Sequence, residues 1–355
     1  MGDFLFYEKN PFYFYQMEDL SFSFVIPVFN RPQEIRELLQ SFTEINGKHE
    51  FEIVIVEDGS TKNSKSVIRD FAERLNISYH FKKNTGPGDS RNFGMRKAKG
   101  NYYIILDSDC LLPPNYMVEV KLSLRKNYVD CFGGPDASHR SFSDIQKAID
   151  FSMTSFISTG GLRGGINRKK DFQPRSFNMG ISKRAYEASG GFGLIHPGED
   201  PDLSLRLKKL GFKIALFPEV FVYHKRRISW IKFYAQVKKF GLVRPILNKW
   251  HPNSGKLTYW FPTVFTFGFL IALILMALGF FWLIVLYGFY ALTAFFMALQ
   301  QHKKFNIAIL SIIAIFIQFY GYGTSFINSY FQIEVLNRNP KLCFPKLFFE
   351  NVQTP

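Results

Sequence analysis

Asp107-Ser-Asp109 follows Tyr102-Tyr-Ile-Ile-Leu106, an apolar run that reads as a buried strand. Two carboxylates held at a strand end can fasten Mg²⁺ or Mn²⁺ to a diphosphate, because a hard dication is bridged by anionic oxygens from both sides. Charged surface turns also produce a D-x-D, so its position after the strand is what gives the pair weight. Two more polar clusters stand at the ends of apolar runs: Asn30-Arg31 after Phe22–Phe29, and Glu57-Asp58 after Glu52–Val56.

Such clusters act together only if a scaffold gathers the strand ends. The stretch 31–42 carries Ile35, Leu38, Leu39 and Phe42 at helical spacing, and helices at 64–75 and about 88–98 alternate with strands at 77–81 and 102–106. Strand and helix in alternation predict a parallel, doubly wound α/β sheet, whose ligands bind outside the carboxyl ends of the strands. All three clusters fall on that edge.

The chain has 355 residues, 47% of them hydrophobic, with 41 Phe and a formal charge of +15. The bases are concentrated: Lys225, Arg226, Arg227, Lys232, Lys238, Lys239, Arg244, Lys249 and Lys256 occur without an acid, just ahead of an apolar region. That placement favours lipid headgroups over nucleic acid. From Leu257 to His302, 46 residues lack Lys, Arg, Asp and Glu, enough for two crossings of a ~30 Å bilayer core with a break near Gly279. A third uncharged run, 305–333, is softened by Gly321, Gly323 and Asn328, and as a crossing it would place Arg338, Lys341 and Lys346 outside, against the positive-inside tendency. Two or three crossings are compatible with the sequence. Residues 229–240 put Trp230, Phe233, Tyr234, Val237 and Phe240 near one helical side, which predicts an interfacial helix. Three widely spaced cysteines indicate neither a disulfide framework nor a zinc site, and Asp3, Glu8, Glu18 and Asp19 argue against a signal peptide. The expectation is a multi-pass protein of the inner (cytoplasmic) membrane with its α/β part in the cytoplasm.

Taken in order, Val25-Ile-Pro-Val-Phe-Asn-Arg31, Val54-Ile-Val-Glu-Asp-Gly-Ser60, Gly86-Pro-Gly-Asp-Ser-Arg-Asn92, Leu106-Asp-Ser-Asp109 and Gly198-Glu-Asp200 resemble the family-2 glycosyltransferases of GT-A fold, over roughly residues 20–245. The resemblance implies a nucleotide-diphospho-sugar-binding domain with a doubly wound mixed sheet. Pro27, Asn30 and Arg31 would lie beside the nucleoside, and Asp58 would accept a hydrogen bond from the base, most often uracil. Gly88, Arg91 and Asn92 would approach the nucleotide. Asp107 would face the ribose or the metal, and Asp109 would bind Mg²⁺ or Mn²⁺ directly. Asp200 would be the general base of an inverting displacement, with Glu199 positioning the acceptor or a neighbouring loop. His224 would complete the metal shell, and Arg226 or Arg227 would balance diphosphate charge.

Leu203, Leu205, Leu207 and Leu210 mark a helix starting after Pro201, whose dipole would keep a carboxylate at its amino end ionised. Plain structural roles compete with several of these assignments: Glu57 as a cap of the following helix, Arg91 on a solvated helix face, His224 as a structural histidine, and Asp202–Arg206 as an i, i+4 pair. The Q-x-x-R-W signature of processive relatives is missing, with Gln236-Val-Lys-Lys-Phe240 the nearest stretch, which implies single additions to a lipid-linked or other glycan acceptor presented at the bilayer. Sugar choice would depend on the shape near Gly133-Gly-Pro-Asp136.

The implied plan is an amino-terminal extension (1–20), the GT-A domain (21–227), a basic interfacial segment (228–256), a membrane region (257–333) and a tail (334–355). A non-catalytic nucleotide-sugar-binding membrane protein is the main competitor, and the base and metal carboxylates speak against it. A nucleotidyltransferase would need a glycine-rich loop after the first strand, where Val28-Phe-Asn-Arg-Pro32 has no glycine.

Overall fold

A computed structural model of the chain describes residues 20–137, 142–160, 172–224 and 229–349. Its elements run β1 (Phe22–Val28), α1 (Pro32–Thr43), β2 (Phe51–Asp58), α2 (Lys65–Arg69), β3 (Ile77–Lys82), α3 (Pro87–Lys97), β4 (Tyr102–Leu106), β5 (Cys110–Leu111) and α4 (Tyr116–Lys126). Then come β6 (Cys131–Gly133), β7 (Asp136–Ala137), α5 (Asp144–Thr154), β8 (Asn178–Ser182), α6 (Lys183–Ser189), α7 (Glu199–Lys209), β9 (Ile214–Leu216) and β10 (Val222–His224). The chain continues with α8 (Trp230–Trp250), α9 (Phe261–Ala277), α10 (Trp282–His302) and α11 (Phe305–Tyr330).

A seven-stranded sheet has the order β3-β2-β1-β4-β8-β6-β9. The first four are mutually parallel, as strand–helix alternation requires, whereas β8 runs antiparallel to both β4 and β6. The sheet is therefore mixed, and a purely parallel reading fails at β8. One face packs with α1 and α4, and the other with α3 and α7. Pairing of Val28 with Glu57, and of Val25 with Ile105, brings the ends of β1, β2 and β4 to one edge. The helix expected over 64–75 is regular only to Arg69, after which tight i to i−3 bonds at Asp70, Phe71 and Ala72 carry the chain to Leu75.

Among the described residues, three helices are long and apolar enough to cross a membrane: Leu257–Ala277 and Trp282–His302 with 21 residues each, and Phe305–Val335 with 31. The break between the first two falls at Gly279, as expected, with φ +90°. The glycines that weakened the third run do not interrupt it. A Cβ on Gly321 would lie 2.8 Å from Val237, and one on Gly323 2.6 Å from the Pro262 carbonyl oxygen, so these positions admit close helix packing.

The apolar side expected for 229–240 is present, but protein covers it. Phe233 and Val237 are buried with Ile149 and Met153 of α5 and Ala314 of α11, and Tyr234 stacks on Tyr320. The helix also runs on to Trp250, where Val243, Ile246 and Leu247 pack against Ile195 and Leu347. The tail then returns to the α/β domain. His196 donates its backbone N–H to the Leu347 carbonyl (2.7 Å), Phe349 donates to Leu194 (3.1 Å), and Ile195 and Phe348 form an antiparallel bridge. Both ends of the apolar region thus meet the same domain.

Candidate active site

The end of β4, the start of β5 and the end of β10 form one corner. β10 pairs with β5 so that His224 lies opposite Cys110, which carries the His224 ring to Asp109. Nε2 of His224 lies 3.2 Å from Asp109 Oδ1, and Nη1 of Arg31 donates to Asp109 Oδ2. Burial works against ionisation of Asp109, but His224 and then Arg31 outweigh it and hold its pKa far below the carboxylate range. Ligand atoms of Asp109, Cys110 and His224 lie within 4.8 Å of one another. Burial raises the Cys110 thiol pKa well above its ordinary value and its Sγ–H faces the Phe177 carbonyl, so it stays a thiol and is a poor ligand. Asp109 Oδ1 is buried and makes no hydrogen bond among the described residues. A carboxylate oxygen facing an imidazole nitrogen in this way fits a divalent cation.

Arg91 joins the two acidic motifs. It is 3% exposed, donating from Nη2 to Asp107 (2.8 Å) and from Nη1 to Glu199 (3.1 Å), with its guanidinium over the Phe192 ring. Burial opposes its charge, yet Asp107 and Glu199 raise its pKa. The reading as a solvated surface arginine is overturned. Replacing Arg91 by Met should cost about 3–5 kcal/mol by leaving buried carboxylates without their counter-charge. Thermal unfolding of the two proteins in one detergent checks this, and an unchanged midpoint would count against it.

The two adjacent acids at the start of α7 have opposite environments. Glu199 is anchored by Arg91 and by Nδ1 of His196 (2.8 Å). Burial would raise its pKa, but His196 and then Arg91 prevail and hold it low. Asp200 has a buried Oδ1 with no hydrogen bond among the described residues, and burial followed by the Glu199 charge raises its pKa. The helix begins at Glu199, three residues earlier than expected, and its dipole does not keep Asp200 at an ordinary pKa, because desolvation and a neighbouring anion are larger effects here.

Pro27, Arg31, Asp58, Arg91, Asp107, Asp109, Glu199, Asp200 and His224 all line one cavity of about 2050 Å³. Asp58 is tied to Lys82 Nζ (2.6 Å) and to the backbone N–H groups of Thr85 and Gly86 (3.0 Å each), which leaves room at Oδ2 for one more donor. Three expected binding residues are not on the cavity wall. Asn30, at φ +55°, uses its side chain to hold Thr61 and Lys62, joining the loops after β1 and β2. Asn92 exchanges hydrogen bonds with the backbone of Phe192, both 2.8 Å. Gly88 meets the protein itself, since a Cβ there would lie 2.8 Å from the Gly193 carbonyl oxygen. Arg226 and Arg227 lie outside the described residues. Glu57 caps α2 through Ser64 N–H (2.8 Å), the plain structural role.

Sequence reasoning missed His196, Arg175, Arg244 and Phe349, which also line the cavity. For His196 the His-Pro-Gly-Glu spacing was a usable signal, because i, i+3 residues meet at a helix start. Asp202 does pair with Arg206 (2.8 Å), and it also binds His251 from the end of α8 (2.9 Å), so α7 is tied to α8.

Residues 23–185 match the model of glycosyl transferase family 2. An uncharacterized glycosyltransferase of Rickettsia bellii is 31% identical over 153 residues, which is 42% of this chain and 20% of that protein. The chondroitin synthase of Escherichia coli is 28% identical over 156 residues, 42% of this chain and 23% of that protein. The matched part of the chain thus spans about a fifth of the length of these relatives. In fold, the chain is similar to a mannosyltransferase from Pyrobaculum calidifontis in complex with GDP-Man and Mn²⁺, with TM-score 0.55 and 15% identity, covering 90% of this chain and 88% of that one.

Proposed function

We propose that this chain, whose residues 23–185 match the model of glycosyl transferase family 2, is an inverting, metal-dependent glycosyltransferase that moves a sugar from a nucleoside diphosphate, UDP by its motifs, to a membrane-presented acceptor in cell-surface glycan synthesis. The observation that carries this reading is the cavity onto which Asp109, His224 and the raised-pKa Asp200 all open. Asp109 and His224 would hold Mg²⁺ or Mn²⁺, with Asp107 beside them, and the ion would supply positive charge to the leaving diphosphate. Asp200 takes the proton of the acceptor hydroxyl as that oxygen bonds to the anomeric carbon. The bond from that carbon to the diphosphate breaks on the opposite face, which inverts the configuration. The charge of Glu199, fixed by Arg91 and His196, adds to burial in keeping the pKa of Asp200 high.

A panel of nucleotide sugars incubated with the full chain and Mn²⁺ should give nucleoside diphosphate release from at least one donor, UDP sugars first. Absence of binding and release across the panel would sink the assignment.

At 1.5 Å per residue, 21 residues span about 32 Å, so Leu257–Ala277, which is α9 with the turn before it, and Trp282–His302, which is α10, each match a ~30 Å hydrocarbon core. The tail pairs with 194–196, on the side of the α/β domain, and this suits an even number of crossings. We therefore assign two crossings to α9 and α10 and place α11 along the domain, with the domain in the cytoplasm. Single cysteines introduced at Gly279 and Lys341 test this. A membrane-impermeant maleimide should reach the first from outside and the second only after lysis, and outside labelling at Lys341 would overturn the two-crossing reading.

A further inference from the structure

The cavity is about twice the ~300–1,000 Å³ of an ordinary small-molecule site, which leaves much of it unassigned after a nucleotide sugar. Besides Asp200 its lining includes Phe240 of α8 and Leu257, Tyr259, Phe261, Val264 and Met297 of the apolar region, which together make an apolar limb. Where this limb meets the catalytic acids, two arginines line it. Arg244, on α8, stands over the Tyr259 ring (4.3 Å to the centroid), and its Nη1 is buried without a hydrogen bond among the described residues. Arg175, in the loop that leads into β8, lies within the field of both Asp200 and Arg244. Neither arginine makes an ion pair with an acid within 4.0 Å among the described residues. Burial, the largest influence, lowers the Arg175 pKa, and the charge of Arg244 adds to this against the pull of Asp200.

We propose that this limb is the subsite for the lipid-phosphate anchor of the acceptor, with the hydrocarbon chain against Phe240, Phe261, Val264 and Met297 and the phosphate between Arg175 and Arg244, so that a hydroxyl of the glycan it carries is the group presented to Asp200. The inference rests on the glycosyltransferase reading and adds the acceptor's chemistry and the residues that recognise it. Guanidinium forks suit phosphate oxygens, and a buried orphan N–H gains most from a charged acceptor. A lipid fits better than a soluble polymer because the outer walls belong to helices apolar enough to cross a bilayer, and Lys232, Lys239 and Lys256 line the same cavity where a headgroup layer would lie.

Farnesyl phosphate, farnesol and inorganic phosphate, titrated onto the full chain in detergent, test the proposal, with UDP titrated in parallel. Farnesyl phosphate should bind at least about tenfold more tightly than either of the others, the scale of one or two charged hydrogen bonds. Arg244→Gln should erase that advantage while UDP affinity stays unchanged. Met297→Trp, which narrows the apolar limb and leaves the charges alone, should weaken farnesyl phosphate and spare UDP; it serves also if Arg244→Gln fails to fold. Equal binding of farnesol, or of inorganic phosphate, overturns the lipid-phosphate assignment. So does a parallel loss of UDP affinity in Arg244→Gln, which would give the arginine to the donor. Retained UDP binding keeps the glycosyltransferase reading intact in each of these cases, whereas loss of UDP binding by the unaltered chain would bring down that reading instead.

Discussion

Asp200→Asn should bind UDP as the unaltered chain does and turn over roughly 10²–10⁴-fold more slowly, the usual worth of a positioned base. The side chain keeps its shape, and Asp200 contributes nothing to the Asp109–His224 corner, so only proton acceptance is lost. Glu199→Gln should cost less, because Glu199 is already committed to Arg91 and His196 and acts through its neighbour. The two acids also make a pH prediction. Only ionised Asp200 accepts a proton, so kcat should fall as pH drops through its pKa, and burial together with Glu199 puts that acid limb above the ordinary aspartate range. Removing the Glu199 charge takes away one cause of the upward shift, and the limb of Glu199→Gln should move to lower pH. The pH profile of kcat for each variant checks this. Normal turnover in Asp200→Asn with a dead Glu199→Gln would exchange the two roles.

The second large effect concerns the ion. Asp109→Asn should lower turnover roughly a hundredfold or more, on the scale of losing a preorganised charge partner of the transition state. Chelation of the unaltered chain should abolish activity, and added Mn²⁺ or Mg²⁺ should restore it. Mn²⁺ binding, followed by its paramagnetic resonance signal, should weaken in both Asp109→Asn and His224→Ala. Full activity in chelator-treated protein would exclude the metal role. Asn in place of Asp also removes the anion that Arg31 and His224 now face, so thermal unfolding should be compared to separate misfolding from lost chemistry.

Elements close in sequence were legible from it. The alternation of apolar strands with helices of 3.6-residue period is written locally, so β1 through β4, the edge that carries Asp58, Asp107 and Asp109, the three apolar runs and the break at Gly279 could all be read without a structure. Local patterns carry no information about what a side chain meets from across the fold. Arg91 could be read as a nucleotide contact or as a solvated helix residue, and only tertiary packing placed it beside Phe192 and between Asp107 and Glu199, 16 and 108 positions away. The glycine-rich segment looked like a nucleotide contact, yet Gly88 and Asn92 are spent on the 192–193 loop.

Protonation states depended on the same long-range packing. The sequence offered a helix dipole at Asp200, a weak effect of the first turn, while burial and the adjacent anion that overrule it appear only once the domain, α8 and the tail close around the loop. The apolar stripe of 229–240 was correctly read as a stripe, but periodicity shows that a face must be covered and is silent on the cover, and here α5 and α11 supply it where lipid was expected. Local patterning thus determined that this chain has an α/β domain and a membrane-length apolar region. That the two regions share one cavity, lined by Asp109, Glu199 and Asp200 as well as by the apolar helices, follows only from the return of the tail and from the packing of α8 on α11, contacts between segments some 80 to 150 residues apart.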